Sequence, residues 1–143
     1  MVAVRLTAEV AMTIVGSARY FDTHKVPTAV RDLARHNCIC LRLASSGGIY
    51  ARELVENGKL VEAKISGQVT LNGAYQMLNA ALSGYGLAFL PEDITQPYVK
   101  SGRLQRVLES ACPRFPGLHA YYPRHRNASR ALRLVVDAIR HRD

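Results

Sequence analysis

At 143 residues the chain makes one ordinary domain or two small lobes, and its 48% hydrophobic and 21% charged residues are those of a globular protein. No apolar run nears the roughly 20 residues of a helical membrane span, so no membrane partner is expected. The net charge of +8 fits nucleic acid or an anionic ligand, but the excess is spread and thickens only toward the C-terminus, from Arg114 through Arg124, Arg126, Arg130 and Arg133 to Arg142.

Val2–Leu6 and Ala11–Val15 read as strands, the second ended by Gly16-Ser17. Tyr20 and Phe21 begin a loop through His24 and Pro27. Thr28 is placed to cap a short helix, AVRDLARH, with Val30, Leu33 and Ala34 inward. Cys38–Leu43 is a strand that puts Cys38 and Cys40 on one side as small buried hydrophobes. With Cys112 they make an odd count without a CxxC repeat. That argues against a disulfide framework and a zinc site and for a reducing cytoplasm. Ser45–Gly48 is a polar loop that no GK[ST] follows, so it is no phosphate loop. Tyr50–Ser66 reads as a half-exposed β-hairpin turning at Asn57-Gly58, with polar arms that include Arg52.

The stretch from Gln68 to Pro91 reads as strand, turn, helix, turn, strand. Ala74, Met77, Leu78, Ala81, Leu82 and Tyr85 recur as one buried helix face after Asn72-Gly73. Gly84 and Gly86 suit the left-handed exit of that helix, and Leu87–Leu90 is an apolar strand stopped by Pro91. So short a unit implies parallel strands with a right-handed crossover. The ligand crevice of such a sheet lies beyond the carboxyl ends of its strands, where Asn72-Gly73 would sit with free backbone N–H groups. A short helix over Glu92–Ser101, an apolar return from Leu104, a rigid loop at Cys112–Gly117 and a strand at Leu118–Tyr122 follow. Ser129 then caps a last helix with Leu132, Val135, Val136 and Ile139 inward.

His24, His36, His119, His125 and His141 are scattered, with no HExxH spacing and no GxSxG elbow. No catalytic residue, metal ligand or cofactor is expected.

The order IVGSARYF, HKVPTAVRDLARHNCICLRL, the NG hairpin, VTLNGAYQMLNAALSGYGLAFLP, GRLQRVL and CPRFPGLHAYYP, then a basic helix, closely resembles the effector-binding (substrate-binding) domain of LysR-type transcriptional regulators over the whole chain. The resemblance implies an α/β fold of the periplasmic-binding-protein-like (type 2) kind. One lobe, over about residues 17–102, has a mixed sheet flanked by helices; residues 1–16 and 103–143 form an incomplete second lobe. It implies a cytoplasmic bacterial sensor in which a small-molecule effector binds between lobes and favours one of two arrangements of an oligomer on DNA, without chemistry. In complete members a winged helix-turn-helix and the first part of lobe I precede these residues, so the chain reads as a C-terminal fragment that touches DNA only through that missing part. Its incomplete lobe would expose apolar surface and a strand edge, to be covered in a homo-oligomer such as a swapped dimer.

The positions matching ligand contacts are Asn72 and Gly73, with Ser17 at the lobe crossing and Tyr121 on the return strand. Backbone N–H groups beside the Asn72 amide favour a carboxylate. The rival reading is a basic nucleic-acid-binding module acting through the C-terminal helix, with Tyr121 and Tyr122 stacking on bases.

Overall fold

The computed structural model describes residues 1–124 and 129–142; His125 and Arg126, named above, lie outside the described residues. Its strands are β1 (Val2–Arg5), β2 (Val10–Ser17), β3 (Cys40–Leu41), β4 (Arg52–Glu56), β5 (Lys59–Ala63), β6 (Thr70–Leu71), β7 (Ala88–Pro91), β8 (Leu104–Val107), β9 (Arg114–Phe115) and β10 (His119–Tyr122). Its α-helices are α1 (Ala18–Phe21), α2 (Ala74–Leu82), α3 (Glu92–Lys100) and α4 (Arg130–Ile139), with 3-10 helices at Val30–Arg35 and Glu109–Ala111. The chain divides into a larger unit, Ala11–Pro113, and a smaller one, Met1–Val10 with Arg114–Asp143.

In the larger unit β7, β2 and β8 lie in that order, with β2 antiparallel to both neighbours. A parallel bridge between Cys38 and Leu87 joins them to the parallel pair β3–β6. The lateral order is therefore β6–β3–β7–β2–β8, a mixed sheet in which only β2 runs against the rest. The strand–helix–strand unit forms as β6, α2 and β7. Its two strands both run parallel to the Cys38–Leu41 segment, which lies between them.

Strand periodicity sorts the core onto two faces. Val15, Ile39, Ala88, Leu90 and Leu104 meet Met77, Leu78 and Ala81 of α2 in one buried cluster. Each large member contributes about 1.5–3 kcal/mol by leaving water. Ile14, Cys38, Cys40, Leu87 and Phe89 alternate with these residues and are buried as well. The β4–β5 hairpin supplies cover for that second face, since the Arg52 guanidinium lies 5.5 Å over the Phe89 ring. Asn57 and Gly58 turn the hairpin with φ of 52° and 74°, as the Asn-Gly pair predicts.

Several local expectations are corrected. Tyr85 is 56% exposed, because α2 stops at Leu82 and Gly84, at φ +85°, turns the chain off the helical path. Thr28 caps nothing. Asp32 reaches back instead, accepting from the N–H groups of Thr28 and Ala29 at 3.0 Å each and from the Thr28 hydroxyl at 3.2 Å. The helix that follows is 3-10, and its tighter winding leaves Ala34 exposed beside buried Leu33. Residues 18–21 form a turn of helix rather than a loop. Arg52, expected on a half-exposed ribbon, is only 2% exposed.

In the smaller unit β1 and β10 pair antiparallel, with Val2 opposite Tyr122 and Arg5 opposite His119. The Ser129 hydroxyl accepts from Leu132 N–H at 3.1 Å and starts α4 as expected; His141 N–H donates to the Arg5 carbonyl at 2.9 Å. Of the expected helix face only Val136 is buried. Leu132 is half-buried, and Val135 and Ile139 are exposed. Two strands offer too little surface to cover the wide apolar stripe of such a helix.

Candidate functional site

Strand directions decide which predicted residues share a location. β3 and β6 run the same way and end at Leu41 and Leu71. Asn72 and Gly73 follow β6 at that end of the sheet, and Asn72 is exposed. Gly73 itself is the N-cap of α2, in extended conformation, so Asn72 sits one residue before the cap and does not fill it. Glycine has no side chain to accept from the first turn, and that turn carries no acidic residue. The start of α2 thus lies at the carboxyl ends of two parallel strands without a side-chain cap bond or an acidic residue in its first turn, the Gln76 amide oxygen lying against Gly73. At the same end Arg106, on β8, is held by Glu92 and by the Gln96 amide oxygen at 2.9 Å each. Arg42 is spent on the Gly47 carbonyl at 2.6 Å.

Ser17 does not join this group. It closes β2, the one reversed strand, and so lies at the opposite end of the sheet from Asn72. It is buried, and its hydroxyl accepts from Tyr20 N–H at 3.1 Å as the cap of α1. Ser17→Ala is expected to cost about 1 kcal/mol of stability in urea denaturation, as a lost cap does, and to leave ligand affinity unchanged. Tyr121 belongs to the smaller unit, where it stands 68% exposed on β10.

The larger unit also holds a cavity of about 380 Å³ that no sequence pattern announced, lined by His24, Lys25, Thr28, Asp32, Arg35 and His36 among others. None of the four predicted ligand residues lines it. Tyr20 assembles it from within. His24 stacks on the Tyr20 ring at 4.1 Å, and the Tyr20 hydroxyl lies 2.6 Å from His36 Nδ1. Asn37 N–H donates to the same hydroxyl at 3.3 Å, which leaves the phenol proton for His36 Nδ1. Burial holds the Tyr20 phenol above its ordinary range.

Burial lowers the His36 pKa, and neighbouring His24 adds to that, against smaller opposing effects of Asp32 and the Lys25 backbone. The native fold therefore favours the neutral imidazole. Well above pH 6.5, the ordinary value, the ring is neutral in the folded and the unfolded chain alike. As pH falls through 6.5 the unfolded chain takes up a proton that the native ring resists, so stability falls until the lowered native pKa is passed. Urea denaturation at stepped pH is expected to show this slope, and His36→Gln to remove it.

His24 Nδ1 lies 3.0 Å from both the Tyr20 carbonyl and the Thr23 hydroxyl, and His119 Nδ1 lies 2.7 Å from the Gly117 carbonyl. Among the described residues no three His, Cys, Asp or Glu side chains converge as metal ligands, and no helix is long and apolar enough to cross a membrane.

Comparison with known proteins gives the arrangement its context. The family model described as LysR substrate binding domain matches residues 1–143. A Pseudomonas aeruginosa protein is 43% identical over 141 residues, which are 99% of this chain and 46% of that protein. The HTH-type transcriptional regulator PgrR of Escherichia coli K12 is 38% identical over 142 residues, 99% of this chain and 48% of the regulator. The chain thus spans about half the length of these curated relatives. Among solved structures, the regulatory domain of AphB in Vibrio vulnificus superposes with a TM-score of 0.78 at 21% identity, over 96% of this chain and 68% of that one. That likeness gives the fold, mixed α/β of the periplasmic-binding-protein-like type 2 kind. With its full length matched by the family model, the chain belongs to the LysR substrate-binding domain family, the regulatory domain of transcriptional regulators.

Proposed function

We propose that the chain is a ligand-sensing regulatory domain that binds a small-molecule effector, a carboxylate, at Asn72 and the start of α2. The observation that carries this reading is the N-terminus of α2 at the carboxyl ends of β3 and β6, with no side-chain cap bond and no acidic residue in its first turn and the exposed Asn72 amide beside it. Backbone N–H groups there match a carboxylate in charge and geometry, and the Asn72 amide adds a donor. Binding shifts a conformational balance and makes or breaks no bond in the effector. DNA contact belongs to the helix-turn-helix part of a full-length regulator, for which PgrR is named.

Oligomerisation is the second element of the proposal. Leu118, Tyr121, Leu134, Val135 and Ile139 of the smaller unit are all exposed, an apolar surface that a second copy of the chain would cover. A monodisperse monomer in sedimentation runs would remove this element.

The test of the binding site is a thermal-shift and calorimetric screen with small aromatic and aliphatic acids. A hit is expected to weaken about tenfold in Asn72→Ala and further in Asn72→Asp, whose charge opposes the ligand. A carboxylate that binds both variants as tightly as the parent would overturn the assignment.

A further inference from the structure

The cavity around His24 and His36 shares no lining residue with the Asn72 site and lies wholly within the larger unit. Its size falls in the range of small-ligand pockets, about 300–1,000 Å³. Its charges are unbalanced. The Asp32 carboxylate is committed to three donors of Thr28 and Ala29, and Arg35 approaches it only to 4.0 Å with an exposed guanidinium. Lys25 and Arg35 thus face the cavity against the one lining carboxylate, Asp32, whose Oδ2 takes the three hydrogen bonds and whose Oδ1 faces Arg35.

The two imidazoles line the same cavity. Their ring centres are 6.3 Å apart, and each Nδ1 is held by a partner inside the protein. A proton on His36 would set a further cation beside Lys25 and Arg35, with Asp32 the lining carboxylate. Of the surrounding elements, α1 contributes Tyr20 and the 3-10 helix contributes Asp32 and Arg35. The Cys38 thiol acts on Tyr20. β5, which packs against the 3-10 helix, carries Lys59 and Glu62 on exposed positions.

We propose that this cavity is a second ligand site, for a small oxyanion, and that its affinity rises as His36 takes up a proton. The anion sits among Lys25, Arg35 and the two rings and offsets the burial that otherwise disfavours a charge on His36. By linkage, an anion that prefers the protonated His36 ring favours that proton by the same free energy that acidification adds to its binding.

NMR of the histidine ring protons during titration with sulfate at about pH 6 and about pH 8 tests this, because sulfate keeps its charge across that interval. An acetate arm separates the need for a doubly charged anion from a general taste for carboxylates. Saturable shifts confined to His24 and His36 are expected, with His119 as internal reference and affinity about tenfold higher at the lower pH. Arg35 is exposed, so Arg35→Ala folds and is expected to weaken binding at least about fivefold, as is Lys25→Ala. Linear shifts at all histidines alike, or unchanged affinity in both variants, would overturn the site.

Discussion

Gly86→Ala is expected to destabilise the larger unit by about 4 kcal/mol. Gly86 holds φ at +145°, a region that side-chain-bearing residues rarely adopt. A Cβ there would also overlap the carbonyl oxygen of Asn37 and crowd its carbon at 2.9 Å. Asn37 is the clip of the sheet. Its carbonyl accepts from Leu87 N–H at 3.0 Å, its Nδ2 donates to the Tyr85 carbonyl at 2.9 Å, and its Oδ1 accepts from Gln68 N–H at 2.9 Å. If Asn37 moves aside, the segment that links β6 to β7 is released and the mixed sheet comes apart at its middle. Strain of about 1–3 kcal/mol and the loss of about 1 kcal/mol for each of these hydrogen bonds together reach about 4 kcal/mol, against a typical total of roughly 5–15. The control is Gly58→Ala, at positive φ but with open space for a Cβ, which isolates the conformational cost. Urea denaturation of the pair decides the matter: equal losses would mean that the overlap at Asn37 relaxes freely.

The second large effect has the opposite sign. Arg52→Met is expected to raise stability by about 1–4 kcal/mol, as when buried charged groups give way to packed apolar ones. The Arg52 guanidinium is buried with no carboxylate near enough for an ion pair among the described residues. Its Nη1 has no hydrogen-bond partner, and its Nη2 donates to the Ile39 carbonyl over a long 3.4 Å. The groups around it are the Phe89 face and the thiols of Cys38, Cys40 and Cys112, all weak partners for a cation. Burial accordingly pushes the guanidinium pKa down, and it pushes the thiols of Cys38 and Cys112 up. Methionine keeps the length of the stem and a sulfur contact with Phe89 without the desolvated charge. Arg52→Ala is expected to fall below Arg52→Met, since it forfeits the packing over Phe89. A methionine variant less stable than the parent would show that the guanidinium is paired well enough to offset its burial.

The two predictions mark where local reading succeeds and where it stops. The Asn-Gly hairpin, the α2 stripe at Met77, Leu78 and Ala81, the exit at Gly84 and the Ser129 cap are set by neighbours within a few residues. Chain order therefore carries them. Thr28 does not cap because the 3-10 helix starts one residue later, with Ala29 at the N-cap, and the Thr28 N–H and hydroxyl are themselves donors to Asp32. Arg52 alternates with exposed Glu53 on a polar-looking arm. Only the placement of the hairpin over Phe89 turns it inward.

For the candidate sites the division is the same. Residues 68–73 alone place a glycine-capped helix start after a strand, and the sheet order puts it at the carboxyl ends of β3 and β6. Ser17 could not be separated from Asn72 by sequence, because the direction of β2 depends on its pairing with residues more than 70 positions away. The histidine cavity was equally hidden: Tyr20, His24 and His36 follow no motif spacing, and a stacked ring and one phenol hydrogen bond bring them together. The sequence by itself determined the family, the order of the elements and the helix start at Gly73, since these rest on local periodicity and turn chemistry. Only the tertiary structure decided which end of the sheet Ser17 occupies, which cation is buried and which histidines share a cavity. Burial and charge proximity are properties of contacts between distant segments, and no local pattern encodes them.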